Sequence, residues 1–191
     1  LQAINELRHI VSSPELDNNK IISSKKEVLI ENVIEAIEND HKVLIFVNYL
    51  SSIESICNSL KENKIKFLKM TGQTKDRQSL VDKFQSDNRY KVFVMTLKTG
   101  GVGLNLVSAD TIFIYDPWWN KTVENQAIDR AYRLGQDKTV FAYKMIMRNT
   151  IEEKILKLQE IKDKLLDDLI SEDNLSTKNL SKNDIEFILG N

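Results

Sequence analysis

The chain has 191 residues, of which 41% are hydrophobic and 29% charged, and a formal net charge of −1. That balance suits one good-sized soluble domain with room for a helical appendage. No apolar run is long enough to span a bilayer, and none opens the chain as a secretory signal. Cys57 is the single cysteine, which excludes a disulfide framework, fits a reducing cytoplasm or nucleus and, with His9 and His41 far away in sequence, speaks against a zinc site. The near-zero charge neither announces nucleic-acid binding nor excludes it, because the footprint is a local patch.

Leu1, Ile4, Leu7 and Val11 recur at helical spacing as far as Ser12-Ser13-Pro14, and residues 14–22 read as loop. Ser24 to Glu27 has the form of a capping box, opening a helix whose expected buried face is Val28, Leu29, Val33, Ile34 and Ile37. Residues 42–47 are then a continuous apolar run, typical of a strand covered on both faces. The alternation continues with a helix capped at Ser51 to Glu54 and ending near Glu62, a strand over 66–70 and a helix over 74–85. Strands follow over 92–96 and 111–115, then a helix over 123–132 and a last strand over 140–147.

Strands alternating with helices predict an α/β fold: a parallel sheet flanked by helices, with right-handed crossovers. Ligands on such sheets bind beyond the carboxyl ends of the strands, which directs attention to the loops after Val47, Met70, Thr96 and Tyr115. The character changes at Thr150, where Thr150 to Glu153 reads as another capping box. Ile151, Ile155, Leu158, Ile161, Leu165 and Leu169 form a long amphipathic stripe after it, followed by a polar linker and a short helix over 183–189. Residues 1–149 are therefore expected to form one lobe and 150–191 a C-terminal helical extension packed on it.

Arg130 and Arg133 lie three apart, so a helix would project both guanidinium groups from one face. Such a pair suits a transferring phosphoryl group, since each planar fork binds two phosphate oxygens and stays charged. Surface ion pairing is the other reading of an isolated pair. Gly100, Gly101 and Gly103 can bring main-chain amides close to an anion, with Lys98 and Thr99 adding a charge and a hydroxyl; a tight turn is the plain alternative.

Leu106 stands where a dinucleotide fingerprint needs its third glycine. None of the six glycines precedes a lysine, so there is no P-loop, and no Asp-Glu pair occurs. By itself the chain should not hydrolyse ATP. Phe46, Phe93 and Phe113 fall within strands and read as core, while Trp118 and Trp119 follow a strand at its carboxyl end, where one can pack under the loop.

Taken together, Leu97–Leu106, then Ala109–Asn120 with its Asp-Pro-Trp-Trp-Asn, then Gln126–Gln136 closely resemble the SWI/SNF-type ATPases of helicase superfamily two. The chain looks like their second RecA-like lobe. Residues 43–50 are similar to the family's motif IV, 70–74 to the next motif, and 150–155 to the start of its closing helix; Asp-Pro-Trp-Trp-Asn looks most like bacterial members. Two positions depart from the family: Tyr132 replaces a usual histidine, and Asn120-Lys121-Thr122 a usual Asn-Pro-Ala. Neither touches the arginines.

The resemblance implies that Arg130 and Arg133 are arginine fingers reaching an ATP and Mg²⁺ held mainly by a first lobe in cis. Such fingers carry an effect of about 10³ to 10⁵ in rate. It implies that Gln126, Gly101, Gly103 and Asn105 face the nucleotide, Gln126 and Asp129 helping to orient the arginines. Thr71, Gly72, Thr96, Lys98, Thr99, Gly100 and Trp119 would meet the backbone of double-stranded DNA, without reading sequence. For Thr71 a plain turn role is equally open. The implied activity is a DNA-dependent ATPase that translocates along the duplex or displaces a DNA-bound protein, at the nucleoid in a bacterium or in the nucleus of a eukaryote, with no membrane partner and no metal site of its own. A non-enzymatic DNA- or protein-binding module is the alternative from another class. Leu1 opens in mid-helix without an initiator methionine, which fits a piece of a longer protein.

Overall fold

The computed structural model describes residues 2–14, 23–100, 103–133 and 135–170, the last seven by backbone alone. The linker and short helix expected beyond Ser171 lie outside the described residues, as do Gly101 and most of the expected 14–22 loop. In chain order the elements are α1 (Gln2–Ser12), α2 (Ser24–Glu38), β1 (Val43–Val47), α3 (Leu50–Glu62), β2 (Phe67–Met70), α4 (Arg77–Ser86), β3 (Val92–Thr96), α5 (Leu97–Gly100), β4 (Thr111–Ile114), α6 (Lys121–Ile128), β5 (Phe141–Lys144) and α7 (Ile151–Ile170).

The five strands form one sheet in the order β2-β3-β1-β4-β5. Every pairing is parallel, with Val43 opposite both Val92 and Thr111. β1 lies at the centre and all five of its residues are buried, which is why its sequence is apolar without alternation. Leu44 and Phe46 point to one face with Phe93, Met95 and Ile112, packed by Phe84 of α4 and Ala127 of α6. Val43, Ile45 and Val47 point to the other, against Leu29 and Val33 of α2 and Ile56 and Leu60 of α3. Phe46, Phe93 and Phe113 are core, as their strand positions predict.

A third cluster joins α1 to α7 through Ile4, Ile151, Ile155 and Leu158. Beside it Lys25 of α2 and Glu152 of α7 form a buried ion pair at 2.6 Å. Burial pushes the Glu152 carboxyl above its ordinary pKa, although the Lys25 ammonium pulls it down. α7 is opened much as its capping box predicts: Thr150 Oγ1 accepts from Glu152 N, and the Glu153 carboxylate accepts from Asn149 N.

Several expectations need correction. α2 is capped by Ser23, not Ser24, its hydroxyl accepting from Lys26 N. Val28 is 47% exposed, and Ile30 and Ala36 take its place in the core. α3 begins at Leu50 behind Tyr49, with no side-chain cap. α4 begins at Arg77 because Asp76 caps it through Ser79 N. Leu7 and Ile161 are exposed instead of lining their helices' buried stripes. β5 is an edge strand, and its Phe141 and Tyr143 are half exposed.

Candidate functional site

The parallel register brings the carboxyl ends of β2, β3, β1 and β4 to one rim. Thr71 follows Met70, which pairs with Met95, so Thr71 lies beside Thr96 at the end of β3. The 71–74 turn is self-bonded: Thr71 N donates to Thr74 Oγ1 at 3.0 Å and Thr74 N to Thr71 O at 3.1 Å. Arg77 braces the turn from α4, its Nη2 donating to Gly72 O and its Nε to Thr74 O. Gly72 is left exposed with open space around it.

At the end of β3 the Thr96 and Thr99 hydroxyls meet at 2.7 Å, and Thr99 N donates to Thr96 Oγ1. Those bonds open α5, bury Thr99 and Gly100, and leave Lys98 exposed at the rim. Gly103 has φ +51 and is exposed, as is Asn105, whose carbonyl accepts from Gln85 Nε2. A side chain at Gly103 would strain the backbone, so glycine there serves the turn.

Arg130 and Arg133 do not share a helix. α6 ends at Ile128 with Asp129 as its C-cap, and both arginines lie on the tight turns beyond it. Arg130 O accepts from Leu106 N at 3.0 Å, and Gln136 Nε2 reaches Ala131 O as well as Val107 O and Ala109 O. Arg133 is exposed, Arg130 half-buried, and Gln126 exposed on α6. The glycine-rich loop and the arginine turn are therefore one hydrogen-bonded unit.

Between β1 and β4 the rim is different in kind. Asn48 N donates to Asp116 Oδ2 at 2.8 Å, and Asn48 Nδ2 to Asp116 O at 2.6 Å, joining the two strand ends. Trp118 and Trp119 stack at 3.9 Å, both half-buried, with Trp119 against the α1–α7 cluster. Asn120 caps α6 through Thr122 N. Buried Glu124 holds the loop from α6, accepting from Trp118 N at 2.6 Å, and α7 adds a bond from Gln159 to Trp118 O. Arg8 is inserted from α1, its Nη2 donating to Pro117 O at 2.7 Å.

The sequence reading missed Asn48, Arg77, Glu124, Gln136 and Arg8. Arg77 stands close to the 70–74 segment and Gln136 closes the Gln126–Gln136 segment already singled out, and their long polar side chains beside turns were the available signal. Arg8 gave none. His9 bonds Ser51 and His41 Nδ1 stands 3.1 Å from Asp110 Oδ2.

Among the described residues no helix is long and apolar enough to cross a membrane. The family model of the helicase conserved C-terminal domain matches residues 24–135. The chain is 39% identical over 176 residues to an uncharacterised ATP-dependent helicase of Mycoplasma pneumoniae, covering 91% of this chain and 17% of that protein. It superposes on the SWI2/SNF2 ATPase core domain of Sulfolobus solfataricus with TM-score 0.75 and 28% identity, covering 98% of this chain and 39% of that one. The C-terminal part of the Fun30 ATPase domain gives TM-score 0.67 and 32% identity, covering 75% and 52%. The chain thus spans a minor part of the length of the curated relative it matches.

Proposed function

The chain belongs to the helicase conserved C-terminal domain family, as the C-terminal RecA-like lobe of a SWI2/SNF2-type ATPase, and from that premise we propose that it serves a DNA-dependent ATPase that moves along duplex DNA. In the full-length protein a first lobe would hold most of the ATP and the Mg²⁺. This lobe would close on it, with Arg130 and Arg133 reaching the phosphates. Gln126, Gly101, Gly103 and Asn105 would line the nucleotide side. Thr71, Gly72, Thr96, Lys98 and Trp119 would form the side facing the DNA backbone, with Thr99 and Gly100, buried behind them, shaping the end of that loop. Residues 1–149 would be the lobe proper and 150–191 a brace. A DNA-bound protein would be the displaced target, at the nucleoid in a bacterium or in a eukaryotic nucleus.

The fit to ATP is that of a closing wall. Arg133 is exposed on a turn and has no P-loop beside it. The observation that carries the reading is the 3.0 Å bond from Leu106 N to Arg130 O. It ties the loop that would sense DNA to the turn that would sense phosphate, which is the linkage a DNA-stimulated ATPase requires. Backbone binding without base contacts should be salt-sensitive and indifferent to sequence.

The test is ATP turnover by the full-length protein with and without duplex DNA, for wild type, Arg130→Ala and Arg133→Ala. Turnover should rise with DNA and fall by about 10³-fold or more in Arg133→Ala while ATP still binds. Unchanged turnover in both variants overturns the finger assignment. The chain alone should show no hydrolysis and a weak DNA affinity that fades with salt.

A further inference from the structure

Arg8 heads the fully buried side chains by volume among the described residues, at 2% exposure. Its guanidinium lies 4.8 and 5.0 Å from the ring centroids of Trp118 and Trp119 and 5.6 Å from that of Tyr49. Nη2 donates to Pro117 O, while Nη1 is buried without a hydrogen-bond partner. The cage occupies the crevice between the carboxyl ends of β1 and β4, where the chain leaves β1 for one side of the sheet and β4 for the other. In open α/β sheets that switch point is the usual ligand crevice. Here α1 fills it from within.

Stability does not account for an arginine at this position. Burying a charge with a donor left over is costly, and an apolar side chain of similar length commonly serves a core as well or better. What an arginine alone supplies is a planar fork that reaches a carbonyl while its flat face holds aromatic rings. The carbonyl belongs to Pro117, the rings to the next two residues, and Trp118 N is held by Glu124 on α6. Lys144 of β5 fixes the other oxygen of Glu124 at 2.6 Å. α6 then runs to Ile128, and the turn bearing Arg130 and Arg133 follows directly.

We propose that Arg8 is a positioning residue that locks the segment entering the lobe to the Pro117–Trp119 loop and, through Glu124, to the helix that sets the arginine turn. Displacement of α1 would then be transmitted to both the DNA-facing loop and the phosphate-facing turn. The proposal rests on the function inferred above, and its test separates the two.

In the full-length protein, Arg8→Met removes charge and fork while keeping volume, and Arg8→Lys keeps charge and length without the fork. Both should unfold only somewhat more readily than wild type in urea, because Pro117 O loses its partner, and keep its KM for ATP. Both should lose DNA-stimulated kcat by about ten- to a hundredfold, the scale of a misplacement of about 1 Å transmitted from outside the chemistry. Stimulated kcat that stays at the wild-type value, or that falls only in step with stability, overturns the proposal. Should Arg8→Met fail to fold, Arg8→Lys alone decides. Absence of DNA stimulation in wild type would instead sink the parent reading.

A second readout needs no catalysis. Trp118 and Trp119 are the two tryptophans of the chain, so its tryptophan emission reports on this cage alone. Arg8→Met in the 191-residue chain should shift that emission with the far-UV circular dichroism unchanged. Emission identical to wild type overturns the lock.

Discussion

Gly100 lies so close to Phe46 that a Cβ built on it would stand 2.3 Å from Phe46 Cε1. Phe46 is fully buried in the central strand and cannot swing aside, so glycine is required here for close approach. Gly100→Ala should destabilise the chain by about 1–3 kcal/mol, the usual range for overpacking a core. Gly72→Ala, in open space, should stay within about 0.5 kcal/mol of wild type. Urea unfolding of both variants checks this, and Phe46→Leu should restore part of the Gly100→Ala loss. A neutral Gly100→Ala would mean the contact is looser than described.

The contrast between those two glycines also marks what the sequence could and could not reveal. The central strands were legible because a strand buried on both faces has to be apolar throughout, as residues 43–47 and 92–95 are. The site loops were legible as positions, since parallel strands end at one rim. Helix ends were less so. Ser23 and Ser24 are equally good caps by composition, and the bond from Lys26 N that selects Ser23 shows only in the fold. α6 stops at Ile128, and beyond it Leu106, distant in sequence, and the nearby Gln136 bond the Arg130 and Ala131 carbonyls, contacts that no local pattern shows. Arg8 was hidden by its charge: it falls on the helical face drawn through Leu1, Ile4, Leu7 and Val11, but an arginine there reads as solvent-facing, whereas the face buried in α1 runs through Ile4, Arg8 and Ser12.

Gln136 should prove to be the pin of the arginine turn. Its Nε2 donates to Val107 O at 2.9 Å, Ala109 O at 2.7 Å and Ala131 O at 3.3 Å, and its Oε1 accepts from Lys138 N. Gln136→Ala should cost about 1–3 kcal/mol, the penalty for removing a partner from buried polar groups. Gln136→Glu should cost more at pH 7, because an ionised carboxylate can only accept and would face three carbonyl oxygens. Equal stability of the two variants in urea unfolding would show that the donated bonds contribute little.

Asp110 makes the acid limb of stability predictable. Its side chain is 1% exposed, His41 Nδ1 stands 3.1 Å and Lys138 Nζ 3.0 Å from its Oδ2, and Thr111 donates to its other oxygen. Burial by itself would raise its pKa, but the bonds from His41 and Lys138 together outweigh that and hold the carboxyl below its ordinary value. The unfolded chain therefore binds this proton more readily than the folded one. The stabilisation is fully present above about pH 4 and is lost as the pH falls through the depressed folded value. Asp110→Asn should lower unfolding free energy by about 1.5–3 kcal/mol at pH 7, as for hydrogen bonds to charged groups. The gap to wild type should narrow steadily below about pH 4. A gap that is constant from pH 7 to pH 3 would exclude an ionised Asp110 as its source.

Cys57 offers a direct measure of how the lobe opens. It is the single cysteine of the chain, 4% exposed on the buried face of α3, and burial pushes its thiol up to about 11. Only the thiolate attacks a disulfide reagent. Against an ordinary thiol value about two units lower, ionisation alone should slow native labelling at pH 8 by about a hundredfold relative to the unfolded chain, before any loss of access. Labelling should therefore follow opening of the lobe, speeding up in urea and in Gly100→Ala in step with lost stability. Mixing the folded chain with an aromatic disulfide reagent at pH 8 and timing the thiolate release tests this. Release as fast as in the unfolded chain would place Cys57 at the surface and refute the packing of α3 on the sheet.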